Sequence, residues 1–255
     1  MTTTALITGA STGIGAEFAR RLAEDGLDLV LVARSENKLE ELAASIRRAT
    51  RSTVTVLVRD LGRPDAAEEL VAECATRGLE IDFLLNNAGF GTHGLVAEAD
   101  PAKLAAEIQL NCVALTELST RFLPAMISRG RGTIVNVASN GAFQPLPQMA
   151  VYGATKAYVL SFTEALWQET RRTGVRVLAL CPGPTDTAFF DIAGEDFASS
   201  KRTTAQLVTT TKRALAKGRP SVVDGASNAL VARLGTRLLP KRVILWGAEK
   251  TVSAR

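Results

Sequence analysis

Thr4-Ala-Leu-Ile-Thr-Gly9-Ala-Ser-Thr-Gly13-Ile-Gly15-Ala-Glu-Phe-Ala19 is the stretch on which the fold turns. A short aliphatic and β-branched run stops at Gly9, two more glycines follow at 13 and 15, and a helical pattern begins. Glycine reaches backbone conformations closed to other residues and lets the chain approach a ligand closely. A helix N-terminus behind such a turn presents free N–H groups and a partial positive charge, which suit a pyrophosphate. Gly9, Ser11, Thr12, Gly13, Ile14 and Gly15 are therefore the first candidate binding residues. The spacing is GxxxGxG, not the GxGxxG form of dinucleotide folds, and it lacks the GK[ST] ending of a P-loop. A turn of the same residues that binds nothing is the alternative.

The rest of the 255 residues repeats strand and helix in alternation. Apolar runs predict strands at 5–8, 29–32, 54–58, 83–85, 133–137, 175–179 and 221–223. Amphipathic patterns predict helices at 15–24, 36–48, 68–77, 101–126, 151–172 and 203–217. Leu39, Leu42, Ala43 and Ile46, for example, share one helical face. Several strands are apolar throughout, as strands covered on both faces are. The alternation predicts a doubly wound Rossmann-type α/β fold, a central seven-stranded parallel sheet flanked by helices. No repeat, low-complexity tract or Gly/Ser linker interrupts it, so residues 1–255 read as one domain. Two segments break the pattern: a substrate flap at about 183–203, and a basic, Leu-rich extension at about 225–255.

Composition narrows the function. With 46% hydrophobic residues and a net charge of +4, the chain is not disordered. The basicity is C-terminal: residues 229–255 hold six Lys or Arg against one Glu. Aromatics are 5%, and neither Trp167 nor Trp246 stands in a basic patch, which argues against nucleic acid. The cysteines at 74, 112 and 181 are widely spaced, which fits a reducing, cytoplasmic compartment. The single histidine, His93, leaves no histidine-pair metal site. The first residues carry no signal-peptide pattern, and the apolar stretch at 27–33 is too short to span a bilayer. The leucines of the basic tail form a stripe that suits an anionic membrane surface or, more simply, closure of the core or a subunit contact.

Arg34 ends the second strand, where an acid would bond a ribose 2′-hydroxyl and an arginine accommodates a 2′-phosphate. Its planar fork favours NADP(H) over NAD(H). A surface arginine at a helix start is the alternative. Asp60, with Leu61 beside it, follows the third strand and would lie over the same cleft, where its carboxylate can bond adenine; a generic loop acid is the alternative.

Three further clusters follow predicted strands: Asn86-Asn87-Ala88-Gly89, Asn136-Val-Ala-Ser139 and Pro182-Gly183-Pro-Thr185. Open α/β sheets bind ligands at those strand ends. Tyr152 and Lys156 stand four apart on one helical face. An ammonium at about 4 Å from a phenol contributes roughly 4 kcal/mol, enough to draw its pKa down by about three before burial opposes it. Taken alone, each of these residues has a structural reading. Cys112 and Cys181 lack a paired base and read as packing; His93, Phe143, Phe189 and Phe190 read as loop or pocket residues.

Together these motifs resemble the short-chain dehydrogenase/reductase family: Thr8-Gly-Ala-Ser-Thr-Gly-Ile-Gly15, Asn86-Asn-Ala-Gly89, Asn111, Ser139, Tyr152-x-x-x-Lys156 and Pro182-Gly183, in order over about 4–225. The resemblance implies that Tyr152 is the general acid and base and that Ser139 holds the substrate oxygen. It implies that Lys156 lowers the tyrosine pKa and binds the nicotinamide ribose, while Asn111 positions a proton-supplying water. It places Asn87, Ala88 and Gly89 on the adenine-ribose side, and Pro182, Gly183 and Thr185 at the carboxamide. It implies a small carbonyl or alcohol substrate and a homodimer or homotetramer assembled through the helices at 101–126 and 151–172. A cofactor-sensing protein on the same fold is the competing reading. The nearest branch by resemblance is the bacterial oxidoreductases related to long-chain ketoacyl and hydroxysteroid reductases.

Overall fold

The computed structural model describes residues 3–187, 201–230, 232 and 239–252. Seven strands form one parallel sheet: β1 Thr4–Thr8, β2 Asp28–Ala33, β3 Val54–Val58, β4 Ile81–Asn86, β5 Gly132–Val137, β6 Val175–Cys181 and β7 Ser221–Val223. Their order is β3-β2-β1-β4-β5-β6-β7. The order reverses between β1 and β4, and the crevice opens at the carboxyl ends there. Every predicted strand is present.

Successive strand residues point to opposite faces and both are buried. Ile7, Leu29 and Leu31 join the core under helices α1 (Gly13–Glu24), α2 (Glu36–Ala49) and α7 (Thr204–Ala216). Leu6, Val30 and Val32 join the opposite core, under α3 (Ala66–Thr76), α5 (Leu115–Ser128) and α6 (Ala150–Thr170). This two-sided burial is why the strands read as unbroken apolar runs.

The helix predicted at 101–126 is not continuous. Pro101–Ile108 forms α4, Gln109–Ala114 is a π-helical turn, and α5 follows. Asp100 caps α4, accepting a bond from Ala102 N at 2.9 Å, and Pro101 occupies the first turn, where its missing N–H is harmless. The wide turn brackets Asn111, whose side chain bonds to a loop outside the helix. π-bulges often mark functional sites.

Residues 188–200, most of the expected flap with Phe189 and Phe190, lie outside the described residues. So does much of the expected basic stripe. The basic extension is described as the short helix α8, Ala226–Leu230, and helix α9, Lys241–Val252. Among the described residues no helix is long and apolar enough to cross a membrane.

Candidate active site

A cavity of about 820 Å³ lies over the carboxyl ends of the strands. At one end its wall is the glycine-rich turn. Gly9 (φ 62°) and Gly13 (φ 55°) are in the left-handed region. A Cβ on Gly15 would stand 2.4 Å from the Gly9 carbonyl oxygen and 2.8 Å from Asn87 Nδ2. The N-cap residue Thr12 makes no side-chain bond to the helix, and Gly13 and Ile14 line the cavity. The turn thus has the close backbone packing and open helix N-terminus that a pyrophosphate needs.

The neighbouring strand end fastens this turn. Thr8 Oγ1 donates to the Leu85 carbonyl (3.2 Å) and accepts from the backbone N–H groups of Asn87 (2.9 Å) and Ala88 (3.0 Å). Asn87 Nδ2 donates to the carbonyls of Thr8 (3.0 Å) and Gly9 (3.1 Å). The Asn87 side chain therefore braces the turn, besides lining the cavity with Ala88 and Gly89.

Arg34 lines the cavity at the end of β2, and Lys38, one turn into α2, joins it. Neither side chain has an ion-pair or hydrogen-bond partner among the described residues. Arg59 also lines the cavity, but its guanidinium is held by Glu69 (2.8 Å) and Glu73 (2.5 Å). One carboxylate oxygen of Asp60 accepts from Gly62 N at 3.0 Å, and Leu61 is buried beside it. Both line the cavity.

At the other end the wall is buried polar side chains. Asn86 Nδ2 donates to Asn136 Oδ1 (2.9 Å) and Ser119 Oγ (3.0 Å); Asn136 Nδ2 donates to Thr163 Oγ1 (3.0 Å). This relay ties β4, β5, α5 and α6 together beneath the site. Ser139 Oγ accepts from Gly141 N (3.1 Å) and shares a hydrogen bond with the Tyr152 hydroxyl. Lys156 Nζ donates to the Val137 carbonyl at 2.9 Å and lies 5.8 Å from the centre of the Tyr152 ring. Asn111 Nδ2 donates to the Phe90 carbonyl (2.8 Å) and Thr155 Oγ1 (3.1 Å), and its Oδ1 accepts from Phe90 N (3.1 Å).

The electrostatics differ from the sequence expectation. Burial pushes the Tyr152 phenol up to about 12; the Ser139 hydrogen bond opposes that, and Glu107 reinforces it. Burial likewise brings the Lys156 ammonium down to about 8. In the protein alone, Lys156 does not draw the phenol toward neutrality: desolvation is the largest effect on both groups. At pH 7 the phenol is protonated and Lys156 mostly charged.

The Pro182–Thr185 segment forms the roof. Asn140 N donates to the Pro182 carbonyl (2.8 Å). A parallel bridge pairs Thr185 with Arg202, and Arg202 Nε bonds the fully buried Asp224 at 2.6 Å. Pro182, Gly183 and Thr185 all line the cavity.

Two expected site residues do not line it. Gly15 sits beneath Gly9, and Asn111, 1% exposed, faces the Phe90 loop. Nor do His93 and Phe143; Phe143 packs against a core cluster. Lining residues that sequence reasoning missed include Lys38, Phe90, Gln144, Leu146 and Met149. Leu146 packs within 3.3 Å of where a Cβ on Gly153 would stand, beside Tyr152, a contact between distant backbone positions that no local sequence pattern marks. Among the described residues no cluster suits a metal ion.

The chain matches the short chain dehydrogenase family profile over residues 3–217. It is 35% identical over 183 residues to an uncharacterized oxidoreductase of Staphylococcus saprophyticus, covering 72% of this chain and 78% of that one. A very-long-chain 3-oxoacyl-CoA reductase of Phaeosphaeria nodorum is 37% identical over 180 residues, 69% of this chain but 52% of that longer one. A short-chain dehydrogenase from Sphingobium yanoikuyae, solved in complex with NADPH, superposes with a TM-score of 0.84 at 34% identity, over 89% of this chain and 90% of that one. The chain belongs to the short-chain dehydrogenase family, as an oxidoreductase of CH–OH groups.

Proposed function

We propose that the protein transfers hydride between NADP(H) and a carbonyl or secondary alcohol, with Tyr152 as general acid and base. The observation that carries this reading is convergence. Ser139, Tyr152 and Lys156 meet at one end of a cavity whose other end holds the glycine cradle, Arg34 and Lys38. The residues fit a dinucleotide: there is no room for side chains at Gly9 and Gly15, an open helix N-terminus for the phosphates, and two cations without a partner among the described residues for a 2′-phosphate. When bound, the nicotinamide supplies or accepts the hydride.

The chain's own groups do the rest. Ser139 and Tyr152 hold the substrate oxygen between two hydroxyls. Tyr152 gives its proton to that oxygen during carbonyl reduction and takes it back during alcohol oxidation. A phenol pushed up to about 12 is fully protonated at neutral pH, which suits the acid role. The buried Lys156 ammonium, held by the Val137 carbonyl, stands beside the tyrosine ring, placed to bind the nicotinamide ribose and to supply positive charge at the site. Phe90, Leu146 and Met149 offer an apolar wall near these groups, suited to a bulky or chain-like carbonyl.

The exposed faces of α4 to α6 carry Ile108 (45%), Val113 (39%) and Tyr158 (44%), which support a homodimer or homotetramer through these helices. Three buried free cysteines suit a cytoplasmic setting. The test of the central reading is Tyr152→Phe. It should bind NADPH and keep its unfolding midpoint, yet lose about 10²–10⁴-fold in NADPH oxidation by a panel of ketones. An undiminished rate would remove Tyr152 from the chemistry. Tight NADPH binding with no turnover of any ketone by the wild type would favour the cofactor-sensing alternative.

A further inference from the structure

One ionisable group beside the site has no part in the mechanism above. Glu107, on α4, is fully buried. Its carboxyl oxygens and the hydroxyl of the adjacent Thr92 are buried without a hydrogen bond of full geometry among the described residues; the Thr92 hydroxyl and backbone N–H are the donors beside the carboxyl, and they favour its charged form. Burying a carboxyl with so few donors is costly, and it persists only where the surroundings over-determine it.

Its place in the fold is specific. Glu107 stands four residues before Asn111, whose side chain is bonded to Phe90 on one side and Thr155 on the other. A Cβ on Gly89 would stand 2.7 Å from Asn111 Oδ1 and 3.5 Å from Lys156 Nζ, so the three residues crowd together. α4 packs on α6, which carries Lys156 and Tyr152. The electrostatic neighbours of Glu107 are Lys103 on its own helix, Lys156 and Tyr152 on α6, and Cys112 in the π-helical turn. The loop after β4 adds Thr92, with His93 next to it. Cys181, at the end of β6, acts on Lys156 as well.

We propose that Glu107 is a positioning residue whose carboxylate keeps the Lys156 ammonium charged. The proposal rests on the reading of Tyr152 and Lys156 given above. The two groups oppose each other's burial. Desolvation pushes the Glu107 carboxyl up, against Thr92 and Lys156, and brings Lys156 down to about 8, against Glu107. An anion facing the ammonium extends the pH range over which it stays protonated. Removing the anion makes Lys156 lose its proton at lower pH. Tyr152, up at about 12, stays protonated throughout that range, so the lysine sets the alkaline limb of carbonyl reduction.

The experiment is the pH profile of kcat/KM for NADPH-dependent ketone reduction in wild type, Glu107→Gln and Glu107→Asp. The Gln variant should match the wild type within about twofold at the acid end, where the carboxyl is protonated and Gln is a close mimic. Its alkaline limb should move down by about one pH unit. Glu107→Asp, which keeps the charge, should move the limb less. In parallel, competitive acetylation should show Lys156 of Glu107→Gln becoming reactive at lower pH than in the wild type. Glu107→Met serves if Gln does not fold, with the same expected limb. Coincident profiles at every pH, or a uniform fall without a moved limb, would overturn the proposal. If Tyr152→Phe turned over like the wild type, the catalytic reading would fail instead, and Lys156 acetylation would still judge Glu107.

Discussion

At the glycine turn after β1 the cavity wall is backbone; near β5 and α6 it is buried polar side chain. At the first end there is no room for a Cβ on Gly15, and the turn is fastened by Thr8 and Asn87 to main-chain groups. At the second, Asn86, Asn136 and Thr163 bond to one another, while Ser139, Tyr152 and Lys156 converge above them. The first end is shaped by what is missing, the second by what must be satisfied. A ligand held by N–H groups and a helix N-terminus needs backbone within reach. Proton transfer needs titratable groups in a site from which water is largely removed, and those groups persist only where their polar neighbours are paired.

The contrast can be broken by substitution at each end. Gly15→Ala has the larger expected effect on stability. Its Cβ would meet a backbone oxygen that cannot swing away, and the destabilisation should be about 3 kcal/mol or more, read from the urea midpoint. A near-neutral variant would mean that the cradle is slack. Asn136→Ala comes next. It leaves the Asn86 amide and the Thr163 hydroxyl each short of a buried partner, and should cost about 2–3 kcal/mol. A loss much below 1 kcal/mol would show that water or rotation readily replaces the relay. Arg34→Ala is the smallest and acts on binding alone. NADPH affinity should fall about tenfold, or roughly 1.4 kcal/mol, with NADH affinity unchanged by calorimetry. An equal fall for both cofactors would place Arg34 away from the 2′-phosphate.

The glycine end was the more legible of the two because its requirements are local. A missing side chain shows in the sequence, and Gly9, Gly13 and Gly15 lie within one turn of chain. Even there, only the fold shows that Gly15 lies under Gly9 rather than against the cavity. The polar end was legible as a set of motifs but not as a network. Asn86 and Asn136 are 50 residues apart, and Asn111 and Thr155 are 44 apart. Glu107 gave no signal at all: one acid in an amphipathic helix looks like a solvated residue, and only packing against α6 buries it.

The order of apolar runs, glycines and helical faces was enough to determine a seven-stranded parallel sheet, its two-sided core and the strand ends where the motifs cluster. Those properties follow from periodicity and steric permission, which act over a few neighbouring residues. The tertiary structure alone decided how the ionisable groups behave. Tyr152 and Lys156 are one helical turn apart in any helix, but their protonation depends on how much water the surrounding elements exclude. That exclusion, assembled from distant segments, is what raises the phenol and lowers the ammonium.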